Sequence, residues 1–207
     1  MRRYFLSVSF LFFLSLISVD VSAQLIIDKG IYKANFSNKF RQPRYVSYTL
    51  YKGGGDCSRK TFSFKNDIDS AITATDRDYA GSGYDKGHLA NAEDFAFDCV
   101  SDEMTFRYYN CLPQTANLNR GLWKRNETDV REWSQTEKLY IICGGFFKGK
   151  KMGNTQVPSY CWKVVQAVDS RKVLFVGWFS NTTKATLDTL TIPQLEKKLK
   201  SKIILLK

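Results

Sequence analysis

The chain has one histidine, His88, in 207 residues. A single imidazole is too few for the common mixed cysteine–histidine zinc sites. The five cysteines, Cys57, Cys99, Cys111, Cys143 and Cys161, do not remedy this, because no C-x-x-C pair occurs. Internal repeats, low-complexity tracts and a glycine-rich phosphate loop are also missing, which sets aside solenoids, linkers and doubly wound nucleotide-binding folds. Acidic residues are scarce, 20 against 31 lysines and arginines, for a formal net charge of +11. Such an excess gathers polyanions and speeds their encounter. It does not by itself choose nucleic acid over an acidic glycan or surface.

Long apolar runs are absent beyond the first two dozen residues. There, "MRRYFLSVSFLFFLSLISVDVSAQ" opens on Arg2 and Arg3, runs apolar from about Tyr4 to Val19 and ends in Val21-Ser22-Ala23. This layout predicts a secretory signal over 1–23, cut after Ala23. The rival reading, an uncleaved anchor, needs about 20 apolar residues, more than this run supplies. The expectation is an exported chain, periplasmic or extracellular, without stable membrane association. A single domain then occupies 24–207, with a balance of about +10. Export permits disulfides, and an odd cysteine count leaves at least one thiol over. Nearness to adjoining strand-like segments suggests Cys99 with Cys111 and Cys143 with Cys161.

What is present suits a packed core: 43% hydrophobic and 14% aromatic residues. The pattern "YVSYTLYKGGG" (45–55) predicts a strand ended by glycines, and "TFSFKND" (61–67) a second short one. A strand over 104–114 is expected to end at Pro113. Residues 118–137 place Leu122, Trp123, Val130 and Trp133 at helical spacing. Three strand-like runs follow at 139–147, 159–168 and 172–180. Residues 191–202, with a threonine cap and an early proline, predict a helix. The order implies an α+β fold, with a largely antiparallel sheet flanked by helices.

The stretch "GSGYDKGHLANAEDF" (81–95) holds His88, whose ordinary pKa lets it take a proton near neutral pH. Gly87 is read as allowing a sharp Asp-Lys-Gly turn. Lys86 is a cation that could meet phosphate. Downstream, Asn119 and Glu127 lie eight residues apart on the expected helix, about 80° beyond two turns, so both can face one side. An amide oxygen and a carboxylate suit a hard cation that keeps most of its waters, as Mg²⁺ does.

The segment Asp85-Lys86-Gly87-His88 resembles a D-R-G-H motif, and "DYAGSGYD" (78–85) before it is similar to the same family's sequence. A second block of the form N-x-x-P-Q, L-N-x-G-x-W and a glutamate is met by Asn110, Pro113-Gln114, Leu118-Asn119, Gly121, Trp123 and Glu127. The pattern resembles the DNA/RNA non-specific endonucleases of the ββα-metal type, the family that includes endonuclease G. The motif-level likeness covers 76–133, and a looser one about 45–180. The resemblance implies a ββα-metal core and hydrolysis of DNA and RNA with little sequence preference, leaving 5′-phosphate ends. It implies Mg²⁺ as cofactor, with Mn²⁺ a possible substitute.

Residue by residue, it implies His88 as general base, Asn119 as the direct metal ligand and Glu127 as the residue orienting a water of the metal's shell. Asn110 is implied as a supporting polar residue. Lys86 stands where the family has arginine, keeping the charge but losing the planar fork. An upstream cation is expected at Arg59, with Arg77 as the other candidate. Asp85 either fixes the tautomer of His88 or stabilises the turn. The alternative reading is a weak or inactive secreted protein that binds polyanions. The oligomeric state stays open, a homodimer included. The glycosylation pattern at 126–128 overlaps the proposed catalytic helix and is read as chance; the same pattern recurs at 181–183.

Overall fold

Alternating inward and outward residues build a central sheet of seven antiparallel strands. The computed structural model describes residues 24–68 and 72–207, so the expected signal at 1–23 lies outside the described residues. The strands are β1 (Gln24–Asp28), β2 (Lys33–Ser37), β3 (Gln42–Leu50), β6 (Leu139–Met152), β7 (Thr155–Ala167), β8 (Val173–Ser180) and β9 (Leu187–Thr189), with spatial order β1-β2-β3-β6-β7-β8-β9. Strands β4 (Tyr84–His88) and β5 (Cys111–Thr115) form a separate antiparallel ribbon. Among the described residues four α-helices accompany the sheets: α1 (Asp76–Tyr79), α2 (Cys99–Met104), α3 (Lys124–Trp133) and α4 (Ile192–Leu199). This is the α+β arrangement the sequence predicts. Among the described residues no helix is long and apolar enough to cross a membrane.

The period-two alternation of β6 and β7 divides two cores. Leu139, Ile141, Cys143, Cys161 and Val165 face the main core, shared with Leu89, Leu112, Leu118 and Trp123. Tyr140, Ile142, Trp162 and Val164 face the other side, where Leu195 and Leu199 of α4 and the tail residues Ile203 and Leu205 cover them. The sheet is thus sandwiched, with the β4–β5–α3 layer on one face and α4 on the other. Helix α4 begins as predicted. Thr191 caps it, its hydroxyl accepting from the Gln194 backbone N–H, and the Gln194 side chain accepts from the Thr191 backbone in return.

Several expectations need correction. Residues 61–67 are irregular apart from one bridge, Lys65 to Arg107. The expected strand over 104–114 begins as the end of α2 and a 3₁₀ turn, and only Cys111–Thr115 is extended. Pro113 lies inside that strand, not at its end. The ribbon has just two strands, and the side chain of Asn181 serves the outer edge, donating to the Pro113 carbonyl and accepting from Thr115 N–H. The helix over 118–137 is a π-helical turn, Leu118–Trp123, followed by α3.

The cysteine pairings are also different. Cys57 and Cys99 are bridged, while Cys111, Cys143 and Cys161 are buried free thiols. Cys143 and Cys161 sit on neighbouring strands, but Cys143 opposes Lys163, and Cys161 opposes Gly145. A diagonal offset of two residues exceeds the Cα separation a disulfide spans. Cys111 packs against Tyr79 instead, with its sulfur 3.6 Å from the phenol oxygen. The observed bridge spans 42 residues. Loop-closure entropy for that length is about 4 kcal/mol. Replacing Cys57 and Cys99 together with serine is therefore expected to lower unfolding stability by about that amount. Urea denaturation of the two proteins side by side checks it, and an unchanged midpoint would count against a structural bridge.

Candidate active site

The ribbon and helix α3 form one ββα unit around His88. The expected turn at Asp85-Lys86-Gly87 is instead the middle of β4, fully paired: Asp85 opposes Gln114, Lys86 opposes Pro113 and His88 opposes Cys111. Gly87 is needed for closeness rather than turning. A Cβ there would fall 2.1 Å from the Gln114 side-chain oxygen. The turning is done just upstream by Gly81 and Gly83, both at positive φ.

The alternation of β4 sorts its side chains. Tyr84, Lys86 and His88 share one face, and Asp85 projects to the other. The His88 ring lies 4.8 Å from the Phe64 ring centroid and 4.7 Å, edge on, from Phe106. Its Nε2 is buried without a hydrogen-bond partner. Burial in this aromatic pocket, helped by the charge of Arg59, pushes the imidazole pKa down to about 3. The ring is neutral at physiological pH.

Asp85 does not reach this ring. Its carboxylate accepts from Asn119 Nδ2 at 3.0 Å and from Arg120 through Nε and Nη2 at 2.8 and 2.7 Å. The guanidinium holds the carboxyl below its usual range. This clamp is of the strong bidentate kind. Because Asn119 spends its N–H on Asp85, its amide is oriented with the oxygen left as the group on offer.

A regular set of contacts joins β4 and the segment after it to the helical segment. Asn119 meets Asp85, and Trp123 Nε1 donates to the His88 carbonyl at 3.1 Å. Glu127 is hydrogen-bonded by Asn91, and Arg131 donates to Asp94 at 2.8 Å. Every third residue from 85 to 94 thus meets every fourth residue from 119 to 131. The fourth-residue period is one turn of helix, so these side chains share a face. Asn119 and Glu127 therefore do lie on one side, although Asn119 sits in the π turn and Gly121 leaves helical geometry altogether.

Glu127 is buried, and burial raises its pKa to about 7, against the pull of Lys163 and Arg131. Asn110 is also buried. Its amide donates to the carbonyls of Ala90 and Thr105 and accepts from Ala90 N–H, all at 2.8 to 2.9 Å. Asn110 thus braces the loop behind His88 and does not face the site. Arg59 pairs with Glu93 and lies 3.6 Å from Asp102, close enough to His88 for its charge to act there. The Cys57–Cys99 bridge holds that segment in place. Lys86 is bound to Asp76, and its ammonium stands 5.3 Å from the Phe64 and Tyr108 ring centroids and 5.6 Å from Tyr79. It shares Phe64 with His88. Arg77, the other candidate cation, lies in a separate cleft on the far side of Tyr84.

Sequence reasoning missed Lys163, Arg131, Asp94 and Arg120. Lys163 is the surprising one, 1% exposed in the centre of the sheet with its ammonium 4.3 Å from the Trp123 ring centroid. One signal was available: a lysine inside the apolar run "SYCWKVVQAV", where a charge needs a partner.

Asn119 and Glu127 offer oxygen atoms that fit a hard, largely hydrated divalent cation. Among the described residues no group of three or more histidine, cysteine or acidic side chains is arranged to hold a metal. A cation seated on the oriented Asn119 oxygen must keep most of its waters, which is the habit of Mg²⁺ and not of zinc.

Comparison with known proteins agrees with this geometry. Residues 17–198 match the family model described as DNA/RNA non-specific endonuclease. A "Nuclease" of Nostoc sp. is 29% identical over 173 residues, 81% of this chain and 63% of that protein. The mitochondrial nuclease EXOG of Mus musculus is 33% identical over 167 residues, 70% of this chain and 45% of that protein. Nuclease C1 of Cunninghamella echinulata is 32% identical over 193 residues, 82% of this chain and 75% of that protein. The chain thus spans 63% and 45% of the first two relatives' own lengths, less than two thirds of each. The crystal structure of the EndoG/EndoGI complex contains a similar fold, with TM-score 0.73, 22% identity and coverage of 84% of this chain and 83% of that one. With the ββα unit and both motif blocks in place, the chain belongs to the DNA/RNA non-specific endonuclease family.

Proposed function

We propose that this protein is an exported, Mg²⁺-dependent endonuclease that hydrolyses phosphodiester bonds of DNA and RNA with little sequence preference. The observation that carries the reading is the pairing of a neutral, half-buried imidazole with an amide oriented by Asp85 on the adjoining helical turn. Names of the relatives support nuclease chemistry. Location in the periplasm or outside the cell rests on the pattern of residues 1–23.

In this reading His88, neutral, takes the proton from a water as its oxygen attacks phosphorus. The P–O3′ bond breaks, and the 3′ oxygen takes a proton from a second water, leaving 5′-phosphate and 3′-hydroxyl ends. The imidazolium then returns its proton to solvent. Bound at Asn119, Mg²⁺ would supply positive charge to the phosphate oxygens and an acidified water. Glu127, once ionised, accepts a hydrogen bond from a water between itself and Asn119, and Asn91 keeps the carboxylate aimed. Lys86 and Arg59 add positive potential on the His88 face. Contacts of this kind go to phosphate, which carries no base identity, hence the low sequence preference.

Metal removal tests the reading. Plasmid DNA and a structureless RNA are incubated with the purified protein and Mg²⁺, then with excess EDTA. Nicking and RNA breakage are expected with Mg²⁺, to stop with EDTA and to return when Mg²⁺ is restored. A folded protein that cuts neither polymer with Mg²⁺ or Mn²⁺ would overturn the enzyme reading in favour of polyanion binding alone.

A further inference from the structure

On the face of β4 that carries His88, the chain continues to a second basic feature that the chemistry above does not use. An open cleft of about 770 Å³ lies at the start of β4, lined by Arg41, Arg77, Asp78, Tyr84, Lys151 and Gly153 among others. Its one acid is already engaged: Asp78 accepts from Thr75 N–H and hydroxyl at 2.9 and 2.8 Å and lies 3.9 Å from Arg41. Arg77 and Lys151 are exposed and have no acidic partner among the described residues. The neighbouring Lys150 sets its ammonium 5.3 Å from the Tyr84 ring centroid. These lysines come from the long β6–β7 hairpin, which opposes α1 across the cleft.

The strand itself supplies the ruler. Tyr84, Lys86 and His88 share one face, and four residues of strand span about 13 Å. Duplex DNA places one phosphate per strand about every 3.4 Å along its axis, so that distance covers about four nucleotides, fewer on a stretched single strand. Positive side chains thus run from Arg59 beside His88, through Lys86, to Lys150, Lys151 and Arg77. Resting on the nuclease reading above, we infer that the Arg77–Lys151 cleft is a phosphate subsite. It grips the nucleic-acid backbone a few nucleotides from the bond hydrolysed beside His88. It would raise the affinity of substrates long enough to reach it, without reading their bases.

The salt dependence of binding tests this. Each lost phosphate contact removes about 0.9 from the slope of log affinity against log salt for duplex DNA. A fluorescent duplex is titrated with the full-length His88→Ala protein, with the same protein carrying Arg77→Ala and Lys151→Ala, and with a control carrying Lys197→Ala and Lys198→Ala. The control lysines are exposed on α4, on the opposite side of the sheet, and remove the same charge. The cleft double variant is expected to lose about 1.8 from the slope, and the control pair much less. Equal losses in both would assign the effect to net charge and overturn the subsite. Unchanged slopes in both would overturn it as well. Failure of the His88→Ala parent to bind nucleic acid at all would instead sink the nuclease reading, and the subsite with it.

Discussion

Alanine at position 88 is expected to lower kcat/KM for plasmid cleavage by about 10²–10⁴-fold, the range a positioned general base contributes. No other histidine exists in the chain to replace it. The loss is expected in kcat, because in the proposed mechanism the imidazole acts on the attacking water and not on substrate affinity. A second readout separates the missing base from a damaged fold. Burial between Phe64 and Phe106 holds the imidazole pKa at about 3 in the folded protein, against about 6.5 when unfolded. A depressed histidine pKa means that the unfolded chain binds the proton first. Folding stability from this group is therefore present above about pH 6.5 and is lost as pH falls towards 3. Between pH 7 and pH 5 the loss is about 2 kcal/mol. The alanine variant is expected to escape that part of acid destabilisation while remaining folded at pH 7. Equal cleavage by both proteins in a Mg²⁺ reaction would remove His88 from the mechanism.

Asn119→Ala carries the second large effect. The side-chain oxygen is the one protein atom assigned to the metal, so its removal is expected to cut activity by about 100-fold or more. Activity should respond to Mg²⁺ only at far higher concentrations. Asp85→Asn is the informative companion. It leaves Asn119 in place but weakens the clamp from Asp85 and Arg120, and changes to such outer partners cost about 10–100-fold in metal affinity or activity. The expected pattern is a rightward Mg²⁺ titration for Asp85→Asn that recovers at saturating metal, and no full recovery for Asn119→Ala. If Asn119→Ala kept the parental Mg²⁺ dependence, another group would have to hold the ion.

The candidate site was legible where it depends on neighbours in sequence. His88, Asn119 and Glu127 stand out as candidates because the two motif blocks preserve their order and spacing. The contact set explains that spacing physically. Asp85, His88 and Asn91 step by three, Asn119, Trp123 and Glu127 step by four, and each pair is joined in space. The role of Asp85 was not legible. Only the strand pairing of β4 shows that it projects away from His88 and towards Asn119. Gly87 was misread for a related reason. A glycine's freedom to turn is a local property, but its need for an empty Cβ position arises from Gln114 on another strand.

Periodicity and caps determined the elements whose signals are local: the sheet strands after residue 139, the helix capped at Thr191 and the amphipathic stretch after Leu118. Strong positive charge, the lone imidazole and the two motif blocks were likewise properties of the chain alone. Tertiary structure decided the rest. It brought Cys57 beside Cys99, where the Cys57 N–H donates to the Ala96 carbonyl just before α2, while strand register keeps Cys143 and Cys161 apart and Cys111 packs on Tyr79. It seated Lys86 between Asp76 and three aromatic rings, and buried Lys163 beneath Trp123. It also placed the Arg77–Lys151 cleft against Tyr84 at the start of β4. These outcomes depend on residues dozens of positions apart meeting at atomic distances. Register, packing and burial set those meetings, and none of the three is written in any one stretch of sequence.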